Sequence, residues 1–106
     1  MTKEDFLIGI RDKLAEASVY SCDIETVDLS RDTRITAIIF ARRLDGEDEG
    51  WVLYTKDYPV GLISRVFDPI LRDKSKICVY HNAKFDVPRL NRHGIYIKSR
   101  LADTMV

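Results

Sequence analysis

The chain carries no excess of charge of either sign: 17 basic and 17 acidic residues cancel over 106 positions. That excludes a polyanion binder working by bulk charge; affinity for nucleic acid would have to come from a local patch or from bound cations. Cysteine is scarce. Cys22 and Cys78 stand far apart, in apolar runs and without metal-type spacing, and read as reduced, buried residues of a cytoplasmic protein. Long apolar runs are missing as well. Nothing approaches the roughly 20 residues of a membrane span, and the polar start MTKEDFLIGI does not suit a signal peptide. What remains is 45% hydrophobic and 32% charged, the composition of one soluble globular domain.

Hydrophobic spacing orders the elements. Phe6, Leu7, Ile10, Leu14 and Ala17 predict a helix over 3–17, opened by Thr2 and Asp5 as a capping pair. Residues 1–18 are read as an N-terminal helix packing on the core. VYSCDIE and ITAIIFARR read as strands; the acidic tip LDGEDEG reads as a solvated hairpin loop before a third strand, GWVLYT. Helical spacing then returns in PVGLISRVFDPILRD, followed by a compact strand KICVYH, a helix AKFDVPRLNRHG with Gly94 at its C-terminal cap, and an extended segment IYIKSRLADTMV. The order is helix, three strands, helix, strand, helix, strand. It predicts an α/β domain whose mixed sheet joins a three-strand antiparallel meander to parallel strands linked by helical crossovers.

Two acidic clusters stand out. In CDIETVDLS, Asp23 and Glu25 alternate on a strand and so share a face, while Cys22 and Ile24 point the other way. Two carboxylates so placed repel, and a hard divalent cation such as Mg²⁺ or Mn²⁺ relieves that repulsion. The pattern is short, and fits a pair of exposed acids at a strand end as well. In YHNAKFDVPRL, His81, Asn82, Lys84 and Asp86 follow an apolar strand. Asn82 also fits a helix N-cap, and Asp86 also fits a complement to the positive helix end. In parallel α/β sheets, functional groups gather at the carboxyl ends of strands, which would bring the three carboxylates to one edge.

These residues carry a resemblance. CDIETVDL resembles the first motif, D-x-E-T-x-x-L, of the 3′–5′ exonucleases with four catalytic acids (the DEDD type), and YHNAKFDVPRL is similar to their second, N-x-x-x-F/Y-D. LADTMV resembles the D-T-M segment in the exonuclease domain of family A DNA polymerases. The likeness covers residues 19–106. It implies a ribonuclease H-like fold and two-metal hydrolysis of a DNA 3′ end by a proofreading-type enzyme. Asp23 would bridge two Mg²⁺ or Mn²⁺ ions, Glu25 would bind the ion that holds the attacking water, and Asp86 would hold the second. Thr26, Leu29, Asn82, Lys84 and Phe85 match positions along the terminal nucleotide or the phosphate path. Leu29 and Phe85 fit ordinary core residues too, and Lys84 a solvated side chain. His81, His93 and Cys22 take no catalytic role, and Asp103 reads as structural.

The family's fourth acid sits in a third motif on a later helix, and residues 19–106 end before it. The expectation is therefore an incomplete domain with one sheet face left apolar and open. Single-stranded DNA would be the partner, with a polymerase domain downstream in the same chain or in a second chain. The alternative is a non-catalytic nucleic-acid-binding or scaffold module with a remnant site, and a third reading is a related nuclease acting on RNA.

Overall fold

The computed structural model describes residues 1–30 and 33–103; Thr104 and Met105 of the D-T-M segment lie outside the described residues. The elements are α1 (Lys3–Ala15), β1 (Val19–Thr26), β2 (Ile35–Leu44), β3 (Glu47–Tyr54), α2 (Val60–Leu71), β4 (Ile77–Tyr80), α3 (Ala83–Arg92) and β5 (Arg100–Asp103). They build one five-stranded sheet in the order β3-β2-β1-β4-β5. The β1–β2 and β2–β3 pairs are antiparallel, and β1–β4 and β4–β5 are parallel. This is the mixed α/β architecture expected from the sequence, with β1 at its centre.

Local chemistry sets the ends of the elements. The Thr2 hydroxyl accepts from the Asp5 backbone N–H at 3.0 Å, and the Asp5 carboxylate accepts from the Thr2 N–H at 3.4 Å, so the capping pair forms as expected. At the other end of α1, the buried Lys76 ammonium donates to the carbonyls of Ala15 and Ala17 at 3.0 and 2.6 Å. A cation there suits the negative end of the helix dipole. Helix α3 ends in a Schellman motif: the Ile95 N–H reaches Leu90 O at 2.9 Å and the Gly94 N–H reaches Asn91 O at 3.0 Å. Gly94 takes φ +84°, which a side chain would resist.

Some boundaries differ from the sequence reading. The hairpin tip is shorter than LDGEDEG. Only Asp45 and Gly46, at φ 53° and 82°, turn the chain, as Asp-Gly does in two-residue hairpins. Glu47, Asp48 and Glu49 belong to β3, where Asp48 and Glu49 stand opposite Arg43 and Arg42 and pair with them at 3.8 and 3.1 Å. Helix α2 runs past Pro69, which lies two residues before its end, as the spacing predicts. The last extended segment forms a strand only from Arg100.

The core lies on one side of the sheet. Leu7, Ile10 and Leu14 of α1, Ile63, Val66, Phe67, Ile70 and Leu71 of α2, and Leu90 of α3 are buried with Tyr20, Cys22, Ile38, Phe40, Leu53, Cys78 and Tyr80 of the strands. Phe67 stacks on Phe40, with ring centroids 4.4 Å apart. The opposite face fares differently. On it Ser21, Asp23, Ile39 and Ala41 are half-buried, and Val19, Glu25, Val52 and Tyr54 are exposed.

Beneath β1 and β4 lies a cluster of weak acids that must stay protonated. Burial pushes the Cys78 thiol up to about 11 and raises the Cys22 thiol and the Tyr20 and Tyr80 phenols above their ordinary values. The Tyr20 hydroxyl shares a 2.9 Å hydrogen bond with Ser99 Oγ, which in turn donates to the carbonyl of Ile70. Because the folded state holds these protons more tightly than the unfolded chain, the stability involved is complete below about pH 9 and is lost as pH rises through about 11. The expected result is a lower urea midpoint at pH 10.5 than at pH 8. Equal midpoints would show that the cluster is solvated.

Candidate active site

The acid pair is built by strand alternation. Asp23 and Glu25 project from the open face of β1, opposite Ile39 and Ala37 of β2. Asp23 is half-buried and Glu25 exposed, and among the described residues neither carboxylate has an ion-pair partner. The β1–β2 register shifts between Glu25 and Thr26, so Thr36 is the extra residue of a bulge, and its hydroxyl donates to the Glu25 carbonyl at 3.1 Å. Bulges bend a strand and re-aim its side chains, and this one lies at the candidate site.

The second cluster is set by the turn from β4 into α3. Asn82 is the N-cap by position, at φ −147° and ψ 79°, but its side chain makes no capping bond; the backbone carbonyl alone accepts the N–H groups of Phe85 and Asp86 at 3.1 and 2.9 Å. The half-buried amide group is thus left outside the helix's own bonding. Asp86 is buried in the first turn of α3, at 5% exposure. The Cys22 thiol is raised chiefly by burial and then by Cys78, with smaller contributions from the charges of Asp23 and Asp86.

The remaining positions separate. Thr26 ends β1, its hydroxyl donating to the Asp28 carbonyl at 2.6 Å. Leu29 is 83% exposed, so it is no core residue. Lys84 and His81 are exposed, and His93 ends α3 with Nδ1 2.8 Å from the Arg89 carbonyl. Phe85 is half-buried, its ring covered by the Arg89 guanidinium at 3.5 Å.

Arg89 is the residue that sequence reasoning missed. Its guanidinium donates to Phe85 O at 2.8 Å and to the Leu29 and Ser30 carbonyls at 3.2 and 3.1 Å. It therefore ties the turn that presents Leu29 to the helix that carries Asp86. The only signal in the sequence is the Phe85–Arg89 spacing of four on a helix, too common to single out.

The donor set suits a hard divalent cation, since it is all carboxylate oxygen and the β1 pair has no ion-pair partner among the described residues. The β1 pair supplies two ligands. Among the described residues, no three His, Cys, Asp or Glu side chains are grouped closely enough to hold an ion together.

The mixed sheet with β1 at its centre carries Asp23 and Glu25 near the end of β1 and Asp86 in the helix after β4. The 3′–5′ exonuclease family matches residues 1–106, and the chain belongs to that family, one of metal-dependent hydrolases. No curated protein matches by sequence. Among solved structures, Trypanosoma brucei RNase D is similar at a TM-score of 0.83 and 17% identity, over 98% of this chain and 36% of that one. The catalytic core of RRP6 from Trypanosoma brucei follows at 0.79 and 20%, over 98% and 28%. The EXD2 exonuclease domain, soaked in Mg and GMP, is similar at 0.68 and 18%, over 93% and 50%. The chain thus spans about a third of the length of the trypanosomal RNase D it matches. No helix among the described residues is long and apolar enough to cross a membrane.

Proposed function

We propose that this chain belongs to a 3′–5′ exonuclease domain that hydrolyses the terminal phosphodiester of a single-stranded 3′ end. Residues 1–18 would serve as a helix packed on the core and residues 19–106 as the exonuclease unit. The observation that carries the reading is the pair Asp23 and Glu25 on the open face of β1, without an ion-pair partner among the described residues, with Asp86 in the first turn of the helix that follows the neighbouring strand β4. Asp23, Glu25 and Asp86 would hold Mg²⁺ or Mn²⁺ in a two-metal site, together with a fourth acid from outside residues 1–106. Ions held there would supply positive charge that eases loss of the water proton and departure of the 3′ oxygen.

The chain's own residues have separate tasks in this scheme. The bulge at Thr36 fixes the Glu25 backbone, and Arg89 holds the turn of Leu29 against α3. Exposed Leu29 would wedge against the terminal base. Thr26, Asn82 and Phe85 would line the terminal nucleotide, and Lys84 would meet the phosphate path.

DNA is the first reading for the substrate, because the motif order resembles the proofreading domain of family A polymerases, with a polymerase domain as the partner. RNA is the second, supported by the trypanosomal RNase D neighbour, also solved in complex with RNA U12. A digest decides. The full-length protein is given matched 5′-labelled DNA and RNA oligonucleotides with Mg²⁺, with Mn²⁺ or with chelator. Metal-dependent shortening from the 3′ end is expected, and the faster oligonucleotide names the substrate. Tight binding without shortening in either metal would replace this reading with the remnant-site module.

A further inference from the structure

A second cluster of nucleic-acid-type groups lies beside the acids and outside every motif. A depression of about 480 Å³ at the paired ends of β2 and β3 is lined by Arg34, Thr36, Tyr54, Thr55 and Lys56. The sheet register connects it to the site. Glu25 stands opposite Ala37, and Ala37 stands opposite Tyr54, so the three form one row across β1, β2 and β3 on the open face. Two strand spacings of roughly 4.8 Å put the Tyr54 backbone about 10 Å from that of Glu25. Only the small Ala37 lies between them. Thr36, the bulge residue that bonds the Glu25 carbonyl, belongs to the wall of the depression.

The two threonines are bonded to backbone carbonyls, and the ring and the two cations are uncommitted among the described residues. Tyr54 is 49% exposed, and among the described residues its ring has no aromatic or cationic neighbour. Arg34 and Lys56 are exposed, and among the described residues neither forms an ion pair, Lys56 not even with adjacent Asp57. By contrast Arg42, Arg43, Arg65 and Arg72 are all paired with carboxylates. Tyr54 is also held on a firm base: its carbonyl accepts from the N–H groups of Asp57 and Tyr58 at 3.0 and 2.9 Å.

We propose that this depression is a subsite for the nucleic-acid strand leading away from the acids, in which Tyr54 stacks on a base and Arg34 and Lys56 meet phosphates. An aromatic platform flanked by unpaired cations is the usual equipment for single strands. A chain with no net charge needs such a patch, because the acids at the reacting end repel the phosphates they must admit. This inference rests on the exonuclease reading for the identity of the strand.

The test is fluorescence anisotropy of single-stranded 12-mers with the full-length protein in chelator, at 50 to 200 mM salt, beside the cleavage assay in Mg²⁺. Tyr54→Ala is expected to weaken binding by about tenfold, and Tyr54→Phe to restore it. The double variant Arg34→Ala, Lys56→Ala is expected to flatten the slope of log affinity against log salt by about 1.4, at ~0.7 per phosphate contact. If wild type fails to bind, or all the variants bind with its affinity and slope, the subsite is overturned. If the variants behave as expected but wild type leaves every 3′ end intact, the subsite stands and the exonuclease reading falls.

Discussion

Asp23→Ala should remove metal-dependent 3′-end hydrolysis almost completely, by about a thousandfold or more, and leave the fold intact or slightly steadier. The loss follows from position. Asp23 lies on the central strand and shares a face with Glu25, and its strand pairs in parallel with β4, which leads into the helix that carries Asp86. Removing it leaves no pair of adjacent oxygen ligands to hold the charge that hydrolysis needs, and loss of one well-placed electrostatic group already costs on the order of a hundred- to a thousandfold. The unchanged or raised stability follows from the same geometry. Asp23 is half-buried, pairs with no cation among the described residues, and lies beside a like charge, so its removal relieves repulsion. Initial rates on a labelled oligonucleotide and a thermal melt of the same variant check both halves. Undiminished cleavage would place the chemistry elsewhere in the protein. Lost cleavage with a collapsed melting temperature would make Asp23 a structural residue.

The acid pair was legible because a strand imposes a strict alternation: once β1 was placed, Asp23 and Glu25 had to share a face and Cys22 had to be buried. The fold was legible for the same reason, since apolar spacing and the Thr2, Asp-Gly and Gly94 signals each act within a few residues. Leu29 and Phe85 were open between core and surface, because a turn has no periodicity to decide which way a side chain points. Arg89 was out of reach, as its acceptors at Leu29 and Ser30 are about 60 residues away in sequence. The extent of β3 was misjudged because three consecutive acids read as loop, and only the arginines opposite them on β2 make a strand of that stretch.

The one-sided core yields the largest expected change in stability. Phe67→Ala should cost about 3–5 kcal/mol. The ring is fully buried on α2, stacked on Phe40 with planes 13° apart, and it joins the helix layer to the centre of β2. Its loss removes both the burial and the ring pair and leaves a cavity between helix and sheet that neighbouring side chains cannot fill. A domain of this size has only some 5–15 kcal/mol of stability in total. At ~4–8 °C per kcal/mol, the melting temperature should therefore fall by about 12 °C or more. The control is Val52→Ala on β3, also an apolar truncation in the sheet but 48% exposed on the open face, where about 1 kcal/mol or less is expected. Urea titration of both variants in the full-length protein separates the two faces. If Val52→Ala cost as much as Phe67→Ala, the face that carries Asp23, Glu25 and Tyr54 would be packed in the whole protein, and a substrate strand could not cross it there.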